Sequence, residues 1–421
     1  MSFRHSALYS AIIDSHPTPL HSSPRELEVR RLSSLAQHHI AAIPSLRHDK
    51  IFSSSFVSDS ELYYGTKDGA LVHVELPSYA PTVVTNLGCP CYVVTPNPSH
   101  SLVAVSHPAG LTARSTDTAE VRATLLGATD LVFSAAWCSD ECIVTGSRDC
   151  GIRVYILPPL QSPGGTRGLF SPASPPGSPG MPNTAAGIGN IHSPGSLWSV
   201  VSIAGSTSPE SADEASVRSN GDGDGDGDAW PVHYDNVTHS HKIRAVSRQT
   251  AESVVTVSPE MGTTVRLWDL NKFIPVKAAV MPDMVDSICS VALSHSVSAV
   301  GSVTGVTVHD FRCPVTTVQF YPSHDHGWGV RSMAYTAPYL TVGGGAGSVS
   351  FVDTRTLTRV GGPHVLNRGR VDDSDPTALW LTVDVPVATM TLSWAPTHRA
   401  LFAAGGPLQV AITGTAASVF S

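Results

Sequence analysis

The chain has 421 residues, of which 41% are hydrophobic and 14% charged, so it holds enough apolar material for a folded core and is not wholly disordered. No apolar run reaches the roughly 18 residues that a membrane-spanning helix needs. The formal net charge of -8 is concentrated in residues 157–238, which carry eight acidic and two basic side chains. The remainder is nearly neutral, so the overall charge gives no sign of a nucleic-acid-binding surface.

Cysteine usage points to a reducing compartment. The seven cysteines are an odd number and include no CxxC pair, which argues against a disulfide framework and a structural zinc site. The apolar stretch at residues 7–13 is too short and too polar at its end for a secretory signal. We therefore expect an intracellular protein.

Residues 1–45 predict an N-terminal helix-loop-helix segment, with helices at 3–14 and 24–37. In the second helix, Leu27 and Leu35 belong to an apolar series spaced three and four residues apart. Pro24 follows two serines, which is a favourable arrangement for a helix start. The prolines at 17 and 19 separate the two helices.

A β-rich pattern recurs seven times along most of the remaining chain. Each unit has a strand-like run, a second run ending near glycine, a Ser/Thr-x-Asp/Gly turn and a third run. The seven units begin at Phe52, Tyr92, Phe133, Val254, Val297, Val330 and Met390. They average about 42 residues, the length of a four-stranded WD-repeat blade, although only Trp268-Asp269 keeps the WD dipeptide.

These repeats predict an all-β fold, a seven-bladed WD-repeat β-propeller. Blades one to three would occupy residues 46–156, and blades four to seven residues 239–421. The alternative is a generic β-sandwich, which the seven spaced units and their turns disfavour. Residues 157–238 are dense in Ser, Pro and Gly and contain a Gly-Asp run, so we predict that this low-complexity segment is a disordered insert.

Motifs for catalysis, cofactors and metals are missing from the sequence. It contains no P-loop, no GxGxxG after a strand, no HExxH and no GxSxG elbow. The pairs His239-x-His241 and His324-x-His326 have no further ligand at metal-binding spacing. We therefore predict a protein that is not an enzyme and that uses neither cofactor nor metal.

Six basic residues fall at equivalent places in different units. They are Lys50, Lys67, Arg148, Lys242, Arg244 and Arg331. Two lie in the turn between the second and third strands, and four at the start of a first strand. In a propeller these places lie on one face around the central channel, so we predict a ring of cations converging on one pocket.

Such a ring repels itself when it is empty. A compact anion, such as a carboxylate cluster or phosphates, would accept charge-assisted hydrogen bonds of about 1.5–3 kcal/mol each. The alternative is that isolated basic residues cap turns on the surface.

A second recurrence follows the third strand of units five and six. Asp310 and Arg312 end one unit, and Asp353 and Arg355 end the next, with one residue between the members of each pair. By itself this spacing favours an Asp–Arg ion pair within the blade that fixes the turn.

Several stretches carry a resemblance to a known family. They are DKIFSSSFVSDSELYYGTK, DLVFSAAWCSDECIVTGSRDCG, KIRAV, GVRSMAYTAPYLTVGGGAGSVSFVDTR and LFAAGGPL, together with the Asp-x-Arg ends. In these stretches the chain resembles the WD-repeat substrate receptors of cullin-4 RING ubiquitin ligases. The resemblance implies a non-catalytic receptor subunit in the cytoplasm and nucleus.

The resemblance also implies two binding surfaces. The helical segment with Asp310, Arg312, Asp353 and Arg355 would contact the damaged-DNA-binding-protein adaptor of the ligase. The six cations named above would bind substrate proteins with acidic C-termini, typically ending in two glutamates. It implies neither nucleic acid nor membrane as a partner.

Two other classes of function remain as alternatives. A WD-repeat scaffold without a ligase role would have the same repeats. A cationic ring could also bind nucleic acid, but the sequence shows no aromatic platform interleaved with the basic residues, as single-strand binders need.

Overall fold

Strands account for all the regular structure of the described residues in this computed structural model. It describes residues 40–42, 48–158, 228–260, 262–281, 288–313, 317–322, 325, 328–356, 358–366, 387–408 and 414–420. These residues contain no helix long and apolar enough to span a bilayer. The strands form seven sheets, which confirms the predicted seven-bladed propeller.

The blades are built in chain order, and their strands have the following bounds. A short first strand, β1 (Ile40–Ala42), precedes blade one, which comprises β2 (Ile51–Phe56), β3 (Glu61–Thr66), β4 (Ala70–Glu75) and β5 (Ala80–Asn86). Blade two comprises β6 (Val94–Pro96), β7 (Leu102–His107), β8 (Gly110–Ser115) and β9 (Val121–Leu125). Blade three begins with β10 (Val132–Trp137), β11 (Cys142–Ser147) and β12 (Ile152–Ile156). The next strand, β13 (Asp228–Ala229), pairs in blade two, and β14 (His233–Asp235) is the fourth strand of blade three.

The second half of the ring repeats this arrangement. Blade four comprises β15 (Ala245–Thr250), β16 (Ser253–Ser258), β17 (Thr263–Asp269) and β18 (Ile274–Met281). Blade five comprises β19 (Cys289–Ser294), β20 (Val297–Gly301), β21 (Gly305–Asp310) and β22 (Thr317–Pro322). Blade six comprises β23 (Val330–Thr336), β24 (Tyr339–Gly344), β25 (Ser348–Asp353) and β26 (Thr358–Val365), and blade seven β27 (Val387–Trp394), β28 (Leu401–Pro407) and β29 (Ala416–Phe420).

Hydrophobic clusters lie between neighbouring blades. The first strand of each blade contacts the first strands of both neighbours, and contact between β2 and β27 closes the ring. Because adjacent blades cover both faces of a middle strand, β16 is almost wholly buried, whereas the outer strand β18 is mostly exposed. Seven separate clusters fill the seven gaps, so no single central core is needed.

Strand β1 closes the ring by hydrogen bonding. It pairs antiparallel with β29, with Ile40 opposite Phe420, and so supplies the outer strand of blade seven. This pairing joins the start of the propeller to its end and leaves no unpaired strand at the closure. The described part of the predicted helical segment 1–45 is therefore a strand, while the helices predicted at 3–14 and 24–37 lie outside the described residues.

The predicted insert, 157–238, overlaps the propeller at its C-terminal end. Strand β13 pairs with β9, and β14 pairs with β12 as the fourth strand of blade three. Trp230, Val232 and Tyr234 place large side chains at every second position, which is the period of a strand, but the adjoining Gly-Asp run obscures it. Residues 159–227 lie outside the described part of the chain.

Blade four contains a buried hydrogen-bond network around its tryptophan. Trp268 Nε1 donates to Thr256 Oγ1 at 2.9 Å, and His239 Nε2 lies 2.8 Å from the same oxygen. The other imidazole nitrogen lies 3.1 Å from Glu260 Oε1, which also accepts from Arg266 at 2.9 Å. Burial, aided by the charge of Arg266, lowers the pKa of His239 to about 4. This network accounts for His239, which the sequence had paired with His241 as a possible metal motif.

Candidate functional site

The strand directions sort the predicted site residues onto two faces. The upper face is the face of the ring on which the first strand of each blade begins and the second strand turns into the third. The lower face is the one where first and third strands end. Lys67 and Arg148 lie in second-to-third turns, and Arg244 lies just before β15, so all three belong to the upper face. Arg312 and Arg355 follow the third strands β21 and β25, so they belong to the lower face.

Backbone hydrogen bonds make the two turns equivalent. The N–H of Lys67 donates to the carbonyl of Lys50 at 2.8 Å, and the N–H of Arg148 donates to that of Leu131 at 2.8 Å. In each blade the bond ties the turn to the start of the first strand. The Ile243 N–H donates to Ser147 O at 3.0 Å, which holds the segment of Lys242 and Arg244 beside the turn of Arg148.

Aromatic rings from three blades form a row on this face. Phe52 and Tyr92 stack with their centroids 4.7 Å apart and an interplanar angle of 7°. Phe133 meets Tyr92 edge-on, with a centroid distance of 5.1 Å. The guanidinium carbon of Arg244 lies 4.8 Å from the Phe133 ring centroid, in a cation–π contact.

Three cations also act on the phenol at the centre of the row. Burial raises the pKa of Tyr92, and the charges of Arg244, Lys67 and Arg148 oppose that rise. Three of the six predicted cations thus lie near enough to influence this phenol electrostatically. We call Phe52, Tyr92, Phe133, Lys67, Arg148 and Arg244 the Tyr92 cluster.

The expectation that no aromatic platform accompanies the basic residues is therefore wrong. Phe52 and Phe133 occupy equivalent positions in the sequences IFSS and VFSA, and this repeat signal could have paired them. Tyr92 lies in a poorly matched unit, and only the closure of the blades into a ring brings it between the two phenylalanines.

The remaining upper-face cations have other surroundings. Lys50 is only 3% exposed, and burial lowers the pKa of its amine. Lys67, its neighbour, forms an ion pair of 2.6 Å with Asp49. Lys242 is half-buried beside Ile243. Lys50 is therefore a supporting residue at the edge of the cluster rather than an exposed cation.

Arg331 belongs to another sector of the ring. Its Nε donates to the carbonyl oxygen of Trp328 at 2.9 Å. Burial raises the pKa of the Cys289 thiol to about 12, and the charge of Arg331 opposes that rise. These contacts place Arg331 between blades five and six, whereas the Tyr92 cluster draws on blades one to four.

Ion pairs within the turns hold both arginines of the lower face. Arg312 binds Asp310 through Nε and Nη2 at 3.0 and 2.8 Å. Arg355 binds Asp353 in the same way at 3.0 and 2.7 Å. The Arg312 side chain is 46% exposed and that of Arg355 17% exposed. The two-residue spacing thus produces the ion pair within the blade.

A cavity of about 330 Å³ lies among blades two to four, near the ends of their first strands. Its lining includes His100, Trp137 and Arg248, and it contains none of the ten predicted site residues. The predicted cations therefore lie elsewhere.

Solved structures identify the class of this fold. "Structure of U3-55K" is similar at 11% identity, covering 91% of this chain and 98% of that chain with a TM-score of 0.57. The WD40 β-propeller domain of Doa1 is similar at 11% identity, covering 90% of this chain and 95% of that chain with a TM-score of 0.58. The RRP9 WD40 repeats are similar at 12% identity, covering 90% of this chain and 96% of that chain with a TM-score of 0.57. The protein is a WD-repeat β-propeller.

A more particular likeness comes from a family model. The model described as "DDB1- and CUL4-associated factor 12 beta propeller" matches residues 226–362, which span β13, β14 and blades four to six almost completely. The matched range includes Arg244, Arg331 and both Asp-x-Arg pairs, while Lys67 and Arg148 precede it. This match supports a WD-repeat protein of the DDB1- and cullin-4-associated type, in agreement with the resemblance seen in the sequence.

Proposed function

We propose that this protein is the substrate-recognition subunit of a cullin-4 ubiquitin ligase and binds acidic C-terminal tails, typically ending in two glutamates. The observation that carries the proposal is the placement of Lys67, Arg148 and Arg244 on the upper face, in two equivalent turns and beside the aromatic row of Tyr92. These cations come from blades one, three and four, so their proximity is a property of the ring rather than of one turn. The family match adds support from blades four to six.

The chemistry of such a tail suits this surface. A peptide ending in two glutamates brings three carboxylates within a short length of flexible chain. Each can accept a charge-assisted hydrogen bond of about 1.5–3 kcal/mol from a lysine or arginine. Because the cations are attached to a rigid ring, the surface loses little freedom on binding. The receptor acts by holding the tail and performs no bond-making step itself.

The lower face would hold the adaptor that links receptor to cullin. Arg312 and Arg355 are fixed by their aspartates in neighbouring blades, five and six, which presents two oriented guanidinium groups side by side along the ring. A substrate on the upper face would then leave the adaptor surface unobstructed. Under this proposal the protein works in the cytoplasm and nucleus.

Peptide binding tests the upper-face half of the proposal. Calorimetry with the full chain would compare a ten-residue peptide ending in Glu-Glu as the free acid and as the C-terminal amide. We expect the acid to bind, the amide to bind much more weakly, and Arg148→Glu to abolish binding. Arg122→Glu is the matched control, because Arg122 is an exposed cation on the outer strand β9. Equal weak binding of both peptides would contradict the proposal.

The second candidate function is a WD-repeat scaffold without a ligase role. It is favoured by the ion pairs of Arg312 and Arg355, which are complete within their own turns. Recovery of the DDB1 adaptor from lysate separates the two functions. A receptor would recover the adaptor and lose it in the double variant Arg312→Ala, Arg355→Ala, whereas a scaffold would not recover it at all.

A further inference from the structure

Tyr92 is the one member of the cluster whose side chain carries no charge but ends in a polar group. Its ring is held on two sides, by the stacked Phe52 and by the edge-on Phe133. Stacked and edge-on arrangements are the two favoured geometries of aromatic pairs, so both contacts fix the orientation of the ring. The hydroxyl therefore has a defined direction before any ligand binds.

Two other tyrosines of the propeller use their hydroxyls within the fold. Tyr155 donates to the Leu126 carbonyl at 2.8 Å, and Tyr63 to the Thr116 carbonyl at 3.4 Å. Among the described residues, none forms a hydrogen bond with the Tyr92 hydroxyl, and the side chain is only half-buried. A half-buried phenol that donates to no described residue can donate to a ligand that reaches it.

The charges around the hydroxyl specify what kind of ligand it would meet. Arg244 lies against Phe133, the ring that meets Tyr92 edge-on, and the turns of Lys67 and Arg148 lie on the same face. A ligand drawn to these cations is an anion. Because burial keeps the pKa of Tyr92 above its ordinary value, the phenol stays protonated at neutral pH and can donate. A neutral donor adds to the binding of a carboxylate without adding to the repulsion among the cations.

We propose that the Tyr92 hydroxyl is a ligand-binding and specificity-determining group that donates a hydrogen bond to a peptide carboxylate held by Lys67, Arg148 and Arg244. This inference rests on the proposed function of the upper face. The rings of Phe52 and Phe133 orient the Tyr92 hydroxyl. They also supply an apolar surface beside the bound carboxylate. Tyr92 thus acts through contact with the ligand, whereas Phe52 and Phe133 are positioning residues.

The experiment compares full-length Tyr92→Phe with the unchanged protein in calorimetry with the free-acid peptide ending in Glu-Glu. Phenylalanine keeps the ring contacts and removes only the hydroxyl. We expect affinity to fall about five- to tenfold, in line with one lost hydrogen bond, with an unchanged Tm. Tyr79→Phe is the matched control, because Tyr79 is a half-buried tyrosine in the third-to-fourth turn of blade one, on the lower face.

Salt dependence separates a donor from a charge. Removing the neutral hydroxyl should lower affinity by the same factor at about 0.05 and 0.3 M salt, whereas Arg148→Gln should make affinity less dependent on salt. Affinity of Tyr92→Phe equal to that of the unchanged protein, with Arg148→Glu inactive, would overturn the role of Tyr92 and leave the proposed function standing.

A second probe tests the carboxylate site if the peptide does not bind. If the unchanged protein does not bind it, the proposed function fails, and glutarate becomes the probe. A glutarate-dependent shift of the Tyr92 ζ-carbon signal in carbon-labelled protein, assigned by its loss in Tyr92→Phe, would support a carboxylate site at Tyr92. The same titration with no shift would overturn it.

Discussion

The upper and lower faces of the propeller both present arginines, but the two faces hold them differently. On the lower face, Arg312 and Arg355 bind the aspartate two residues before them through two nitrogens each. On the upper face, Arg244 lies against an aromatic ring from another blade, and three cations from three blades act on one phenol.

This difference shows how one residue type serves two purposes. A lower-face arginine and its aspartate nearly cancel in charge, so the pair presents an oriented group of fixed shape. On the upper face, Lys67 pairs with Asp49 at 2.6 Å and Arg148 lies 3.6 Å from Asp130, while Arg244 lies against the Phe133 ring. Cations from three blades thus lie on one face, each with a different kind of partner. We therefore expect charge reversal to act on ligand binding at the upper face, and on turn stability or docking at the lower face.

Double charge reversal should show the contrast most strongly. Lys67→Glu with Arg148→Glu removes two charge-assisted hydrogen bonds, so affinity for the free-acid peptide should fall about a thousandfold. Arg312→Glu with Arg355→Glu should leave that affinity unchanged. Calorimetry on both double variants checks the expectation, and equal losses in both would mean that the two faces are not functionally distinct.

Acid should lower the stability of the folded protein through His239. Its folded-state pKa of about 4 lies below the unfolded value of about 6.5, so the unfolded chain binds the proton more readily. The contribution of His239 to stability is complete above about pH 6.5 and falls as pH decreases toward 4. We expect a loss of about 2–3 kcal/mol in the free energy of unfolding over this range.

Urea unfolding at several pH values measures this loss. The variant His239→Gln should be less stable at pH 7 and should show a flatter dependence between pH 6.5 and 4.5. A dependence as steep as that of the unchanged protein would assign the loss to other groups.

The two lower-face ion pairs should differ in their contribution to stability. Arg355 is 17% exposed and Arg312 46% exposed, so loss of the aspartate leaves a more deeply buried charge in blade six. We expect Asp353→Asn to cost about 1–2 kcal/mol and Asp310→Asn less than about 1 kcal/mol. Urea denaturation checks the order, and a larger cost for Asp310→Asn would contradict it.

The smallest expected effect is that of salt concentration on peptide affinity. Raising it from about 0.05 to 0.3 M shortens the screening length, so peptide affinity should fall by about threefold or more. The control Arg122→Glu should show the same dependence, because Arg122 is outside the Tyr92 cluster. Affinity that does not change with salt would mean that the upper face binds by apolar contact.

Local features of the sequence determined much of this molecule. Seven units of suitable length were enough to predict the propeller, because each unit carries its own strands and turns. The equivalence of Lys67 and Arg148 could also be predicted, since both follow the same repeat pattern and the backbone bonds of the two turns are the same. The Asp-x-Arg ion pairs were predictable because they lie within two residues.

Only the tertiary structure decided how separate blades combine. Strand β1 pairs with β29 across the whole length of the chain, and β14 joins blade three after the long insert. The row of Phe52, Tyr92 and Phe133 likewise depends on ring closure, because each ring comes from a different blade. Repeat patterns specify a blade by local periodicity, whereas contacts between residues far apart in sequence are fixed only when the blades pack side by side.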